Sequence, residues 1–399
     1  MPRPFALIDA SGEGDVLEVR SLLAQGVNVD EAEANSDSGG TPLTLSSMKG
    51  HHEVVKLLLA NGAKVDLAVD VGKTPLIFSS QYGHREVVKL LLANGAKVDQ
   101  AMYSGSTPLS VSSIKGHREI VELLLANGAT VDKADLDGAT PFYMSCQNGH
   151  KEVAKLLLAS GAKVDQVTKY GDTPLYKSSQ EGHPEVVKLL LANGAKADHA
   201  DNDGITSLYK SSQNGHREVV KLLLDNGATV DKPMNNNGNT PLLVSSMKGH
   251  GEVVKLLLAK GARVGQAASN GFTPLAISNL HGQSKIVQLL LAHITAFRRL
   301  AVLSSIRQVR LNPPTPPPSR LLSLLANTPD DIVRVILEFM GARLELCNKC
   351  DLEGKTIQKC SGCKQVLYCS RECQRRDWKA HKGACKKVAA RKEEGGKGK

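Results

Sequence analysis

Aromatic residues are scarce in this chain of 399 residues: Phe, Trp and Tyr make up 4%, with a single Trp. Aromatic side chains bury the most area per residue, so a large globular core is not expected here. Leu, Val and Ala must supply the burial instead. No run of 18 apolar residues occurs, and no membrane span is expected. Met1 to Ala10 carries no basic head followed by a long apolar core, so no secretory signal is expected either. Before residue 347 cysteine is almost missing: of eight, only Cys146 lies there. With no sign of secretion, the thiols are expected to be reduced and free to bind metal. The chain has no Gly-rich phosphate loop and no Ser-His-Asp cluster, and the expectation is a protein that catalyses no reaction.

What the chain does have is one phrase written many times. Thr74-Pro75-Leu76 is followed by Ser79-Ser80, Gly83-His84, Glu86 to Leu92 and Asn94-Gly95-Ala96. Its leading Thr recurs at Thr41, Thr74, Thr107, Thr140, Thr173, Thr206, Thr240 and Thr273, in steps of 33 residues with one of 34. Thr is an N-cap residue and Pro suits the first helical position. Gly83 tolerates the positive φ that ends a helix. A second helix is expected from Arg85 to Ala93, with Val87, Val88, Leu90, Leu91 and Leu92 as its apolar stripe. Two such short helices cannot bury that stripe alone; stacking on the next copy can.

These residues resemble the ankyrin repeat over roughly residues 4 to 298. The resemblance implies a mostly α-helical solenoid, with inner helices and loop tips lining a concave face that binds proteins. The family usually has His after Thr-Pro-Leu; here that slot holds Thr44, Ile77, Ser110, Tyr143, Tyr176, Tyr209, Leu243 and Ala276, which questions His-mediated bonding between repeats. Ser pairs such as Ser46-Ser47 and Ser79-Ser80 replace the usual Ala pair, small enough to pack and able to bond back one turn. The first helix varies at Phe78, Val111, Met144, Lys177 and Lys210. The tips vary too, and Phe78, Met102, Tyr103, Leu136 and Tyr170 are candidate partner-binding residues, the last four expected to be exposed.

In chain order the expected parts are a capping half-repeat at 4–40, the array at 41–298, a proline-containing linker and helix at 299–342, a finger at 343–385 and a basic disordered tail at 386–399. In the last repeat Gln283 replaces the usual His, and its helix is expected to run on past Ile294. Pro313 to Pro318 favours an extended spacer. Thr328 to Phe339 reads as a capped amphipathic helix and faintly resembles the opening of an F-box.

From residue 347 the spacing is Cys347-x2-Cys350-x9-Cys360-x2-Cys363-x5-Cys369-x3-Cys373-x7-His381-x3-Cys385. Eight ligands divide into two closed tetrahedral sites, so two Zn²⁺ ions are expected. Spacing alone leaves interleaved and sequential pairings open. With Tyr368-Cys369-Ser370 and Gln374-x2-Asp377-Trp378, the stretch closely resembles the MYND zinc finger. That resemblance implies that Cys347, Cys350, Cys369 and Cys373 hold one ion and Cys360, Cys363, His381 and Cys385 the other. It also implies a shallow groove for a proline-containing peptide, contacted by Gln374 and Trp378.

The resulting expectation is a monomeric, non-secreted adaptor, cytoplasmic or nuclear, that holds one protein on the array and a proline-containing peptide on the finger, with transcriptional or chromatin regulation as its setting. From Arg343 onward there are 16 Lys and Arg against 7 Asp and Glu, so nucleic-acid binding by the basic end is an alternative. A ubiquitin-ligase adaptor, resting on the F-box likeness, is another. Nothing has the length or pattern of a SET methyltransferase domain.

Overall fold

The computed structural model describes residues 5–32 and 40–296 and two short strands, β1 (Gln358–Lys359) and β2 (Leu367–Tyr368). The chain divides into two units, Met1–Leu291 and Ala292–Lys399.

The first unit is a stack of helix pairs. The opening pair is α1 (Ala6–Glu13) and α2 (Val16–Ala24). Seven inner helices follow at 33- or 34-residue intervals: α3 (Pro42–Lys49), α5 (Pro75–Tyr82), α7 (Pro108–Lys115), α9 (Pro141–Gln147), α11 (Pro174–Glu181), α13 (Ser207–Asn214) and α15 (Pro241–Lys248). Each is paired with an outer helix: α4 (His52–Ala60), α6 (Arg85–Ala93), α8 (Arg118–Ala126), α10 (Lys151–Ala159), α12 (Pro184–Ala192), α14 (Arg217–Asp225) and α16 (Gly251–Ala259). In the last repeat α17 (Pro274–Leu280) precedes α18, helical over 284–296. The stretch beyond 296 lies outside the described residues.

Local chemistry accounts for each pair. In all eight repeats the Thr hydroxyl accepts the backbone N–H three residues on, as Thr74 does from Ile77, and satisfies an otherwise orphaned donor. At Thr206 the usual Pro is Ser207, and the cap is intact. Gly83 closes α5 at φ 86. Its lack of a side chain serves a second purpose, because a Cβ there would stand 2.9 Å from the His117 ring of the next repeat. The apolar stripes of the outer helices then meet in one continuous cluster running from Leu7 to Leu290, which no single repeat could assemble.

Polar ladders tie neighbours together. The Gly-His histidines bond across the junctions: His84 Nε2 lies 2.8 Å from the Met48 carbonyl and His117 Nε2 3.1 Å from that of Gln81, with the same bond at His51, His150, His183, His216 and His250. Carboxylates add a second ladder. Asp66 accepts the Lys97 N–H at 3.0 Å, and Asp30, Asp99, Asp132, Asp165, Asp198 and Asp231 act likewise at their own junctions. Histidine bonding between repeats is therefore present, carried by the turn histidines and not by the slot after Thr-Pro-Leu.

The Ser pairs divide. The first hydroxyl bonds back as expected: Ser46 to the Pro42 carbonyl at 2.7 Å, Ser79 to Leu76 at 3.2 Å, and similarly Ser112, Ser178, Ser211 and Ser245. The second does not. Ser47, Ser80, Ser113, Ser179, Ser212 and Ser246 are wholly buried with no partner for the hydroxyl. Cys146 holds that place in the fourth repeat and packs inside the apolar cluster, which shows what surrounds these hydroxyls.

Candidate recognition surface and metal module

Between the helix pairs the chain projects hairpin loops, and their tips are stitched into a row by backbone bonds. The Tyr103 N–H donates to the Val71 carbonyl at 2.9 Å, Leu136 to Ser104 at 3.0 Å, Lys169 to Asp137 at 2.9 Å and Asn202 to Tyr170 at 3.1 Å. Each tip is also braced internally: Asp135 accepts the N–H groups of Asp137 and Ala139, and Asp201 those of Asp203 and Ile205. Side chains at the tips are thus held on a rigid support.

Four adjacent tips carry large apolar side chains in the open. Tyr103 is 78% exposed, Leu136 75%, Tyr170 56% and Val71 52%. Tyr103, Leu136 and Tyr170 are where the sequence put them. Met102 is not: it is half-buried, because it occupies the bracing position of its hairpin and bonds through its N–H to the Ser106 carbonyl at 2.9 Å. Phe78 is half-buried as well, with the Lys73 ammonium 5.4 Å from its ring centre. Val111, a varying inner-helix position, is buried and offers no free surface.

Val71 was missed by the sequence reading. It sits in a single 3-10 turn (Asp70–Gly72) at φ 50, ψ 19, a left-handed conformation that a β-branched side chain rarely adopts. Nothing in local propensity would place Val there, and strain of this kind concentrates at binding sites.

Beyond Tyr170 the tips turn polar, with Asn202, Asp203 and Asn235 to Asn237. The inner face here holds a buried polar cluster. Tyr143, Tyr176 and Tyr209 occupy the slot after Thr-Pro-Leu. Burial, then the Asp172 carboxylate, pushes the Tyr143 phenol up; burial, then Asp201, does so for Tyr176. The Asp172 carboxyl is raised by burial first and Asp201 second, while Lys177 and Lys210 act in the opposite sense. The shifts of these groups thus trace to burial and to one another across neighbouring repeats. The Cys146 thiol is pushed up by burial, so it holds no reactive thiolate.

Among the described residues no group of His, Cys, Asp and Glu could hold a metal. The eight proposed ligands from Cys347 to Cys385, together with Gln374 and Trp378, lie outside the described residues. Two strands within that stretch are described: β1 and β2 pair antiparallel, Gln358 opposite Tyr368 and Lys359 opposite Leu367. In chain order Cys360 and Cys363 fall in the connection between the strands, and Cys369 follows β2. Soft thiolates in Cys-x2-Cys pairs suit zinc.

Comparison with known proteins agrees with this architecture. The family described as ankyrin repeats (3 copies) matches residues 7–102, 98–168, 163–234 and 229–298, and the MYND finger matches 347–385. The crystal structure of the human ASB11 ankyrin repeat domain superposes with a TM-score of 0.51 at 31% identity, covering 56% of this chain and 98% of that one. Among curated proteins, SET domain-containing protein 14 of Caenorhabditis elegans is 40% identical over 68 residues, 16% of each chain. A SET and MYND domain-containing protein of Dictyostelium discoideum is 60% identical over 42 residues, 10% of this chain and 8% of its own. Human Tudor domain-containing protein 1 is 50% identical over 46 residues, 12% of this chain and 4% of its own. The chain thus spans a sixth or less of the length of these curated relatives. With eight capped helix pairs in register and a finger motif matched from first ligand to last, the chain belongs to the ankyrin-repeat family and carries a MYND zinc finger, both of them protein-interaction modules.

Proposed function

We propose that this protein is a non-catalytic adaptor. The array holds one protein on its inner-helix and fingertip face, and the finger holds a proline-containing peptide of another through Gln374 and Trp378. The observation that carries this reading is the row of four rigid tips exposing Val71, Tyr103, Leu136 and Tyr170. Exposed contiguous apolar groups on a fixed frame mark binding surfaces. The parts run as 4–40, 41–298, 299–342, 343–385 and 386–399, and the linker raises the effective concentration of one bound partner near the other. The protein acts as a monomer in the cytoplasm or nucleus; among the described residues no helix is long and apolar enough to cross a membrane.

Two zinc ions complete the finger. Cys347, Cys350, Cys369 and Cys373 hold one, and Cys360, Cys363, His381 and Cys385 the other. This interleaved pairing rests on the resemblance to the MYND finger. The role of zinc is structural: a module this small has little apolar core, so binding supplies most of its folding energy.

Affinity capture tests the adaptor reading. The intact protein is run beside a Tyr103→Ala, Leu136→Ala tip variant and a Trp378→Ala variant, with bound proteins identified by mass spectrometry. Each variant is expected to lose a different set of partners. If both retain every partner, the reading fails. Salt-labile nucleic acid bound through Arg375, Arg376, Lys386 and Lys387 would favour a basic nucleic-acid surface instead.

A further inference from the structure

We propose that the face of repeats one to four docks an acidic peptide segment. Its bulky apolar side chains seat against the fingertips, and its carboxylates meet Lys49, Lys73 and Lys115. This inference rests on the adaptor reading of the same face and adds the chemistry of the partner.

The apolar half of the argument is the state of the tips. The Tyr103 ring lies over the bare backbone of Gly72, so close that a Cβ there would stand 3.0 Å from Tyr103 Cδ1. One edge of the ring thus rests against the Gly72 backbone while the residue stays open to solvent. An aromatic anchor already held in place loses little entropy on binding. Leu136 follows on the next tip, bonded through its N–H to the loop that carries Tyr103.

The charged half is an imbalance. Lys49 and Lys115 occupy the same place near the ends of α3 and α7, both exposed, and the half-buried Lys73 falls between them in the chain at the base of the Val71 tip, its ammonium 5.4 Å from the Phe78 ring centre. Among the described residues none of the three has a carboxylate within 4.0 Å. The inner helices α3, α5, α7 and α9 carry no Asp or Glu, whereas some outer-helix lysines are matched on their own helix, as Lys89 is by Glu86 at 3.2 Å and Lys255 by Glu252 at 2.7 Å. The carboxylates of the loop that carries Leu136 are engaged: Asp135 braces its own hairpin and Asp137 pairs with Lys169. In repeat five the inner-face Lys177 meets Glu181 at 3.6 Å, and the Asp172 carboxyl lies in the field of Lys177 and Lys210. Lys248 ends α15 in the same place and is exposed, also with no carboxylate within 4.0 Å among the described residues, but the tip before it is the polar Asn235 to Asn237. Unmatched inner-face lysines and open apolar tips coincide in repeats one to four.

Charge complementarity then selects the partner. A basic segment would set like charges together and is disfavoured. An acidic segment gains from all three lysines, and its apolar side chains cover Tyr103 and Leu136.

The test is selection of random peptides displayed on phage against the full-length Trp378→Ala protein, which removes the finger's proposed contact. Enriched sequences are expected to combine Asp or Glu with Leu, Phe or Trp. The leading peptide, synthesised, should bind a Lys49→Glu, Lys73→Glu, Lys115→Glu variant at least about tenfold more weakly, and replacing its carboxylates with lysines should restore binding to that variant. Circular dichroism checks that the variant stays folded. Enriched peptides without carboxylates, or peptides indifferent to the three substitutions, overturn the inference, as does single-stranded RNA that binds through the same lysines. Peptides that depend on Tyr103 and Leu136 but not on the lysines would overturn the acidic partner and leave the adaptor reading standing. If no enriched peptide depends on the tips, both fall.

Discussion

The paired serines of the inner helices make a controlled experiment within one turn of helix. Ser79 and Ser80 are adjacent and both wholly buried, yet only Ser79 has a hydrogen-bond partner. Burying a hydroxyl with no partner costs about 1–3 kcal/mol. Ser80→Ala removes that cost and gains about 0.5 kcal/mol of helix propensity. Against this stands the loss of one oxygen's dispersion contacts, about a few tenths of a kcal/mol. Ser80→Ala is therefore expected to stabilise by about 1–3 kcal/mol. Ser79→Ala loses a bond worth about 1 kcal/mol net and gains the same propensity, so it should be neutral or mildly destabilising. Urea unfolding followed by circular dichroism and by a second probe reads both, provided the two transitions coincide. Ser47→Ala, Ser113→Ala and Ser212→Ala lie in separate repeats, and their gains should add to that of Ser80→Ala within a few tenths of a kcal/mol each. If Ser80→Ala destabilises as much as Ser79→Ala, the second hydroxyl is satisfied in solution and the reasoning is wrong.

Val71→Asn should stabilise the array by about 1 kcal/mol, since Asn tolerates the left-handed conformation that strains Val, while weakening capture of the tip partner; thermal melts and affinity capture read the two effects. Gly116→Ala should destabilise by about 1–3 kcal/mol, because φ is 76 there and a Cβ would stand 2.5 Å from His150 Nδ1; a denaturant midpoint unchanged from the parent would contradict this. In alkaline titration followed by tyrosinate absorbance, Tyr143 and Tyr176, whose folded pKa values lie above the unfolded one, should ionise only as the array opens. Their contribution to stability is complete below the unfolded value and is lost as pH rises above it. A strong zinc chelator should unfold residues 347–385 and leave the helical signal of the array intact, with two equivalents of zinc released per chain in a colorimetric assay.

The repeat boundaries, caps and outer-helix stripe were legible because each depends on residues within one turn: Thr74 caps Ile77, Gly83 ends α5, Leu90 to Leu92 follow helical spacing. The finger was legible from its ligand spacing together with Tyr368, Gln374, Asp377 and Trp378, and the family match covers 347–385; spacing did not fix which ligands share an ion. Features set by the neighbouring repeat were not. The acceptor for His84 is Met48, 36 residues away. Whether Val111 is buried or Met102 half-covered depends on the adjoining helix or hairpin, and the position of a residue in the phrase does not fix it. The split within the Ser pair is of the same origin, since only the packing of Cys146 in the fourth repeat reveals that the second position faces apolar side chains. Val71 escaped because its backbone contradicts its own propensity.

The central claim is that the fingertip row is a recognition surface. Hydrogen-exchange mass spectrometry of the full-length protein, with and without a captured partner that the tip variant loses, tests it most directly. Added protection is predicted over residues 69–73, 102–106, 135–139 and 168–172. Protection confined to the outer helices, or to residues 347–385 alone, would contradict it.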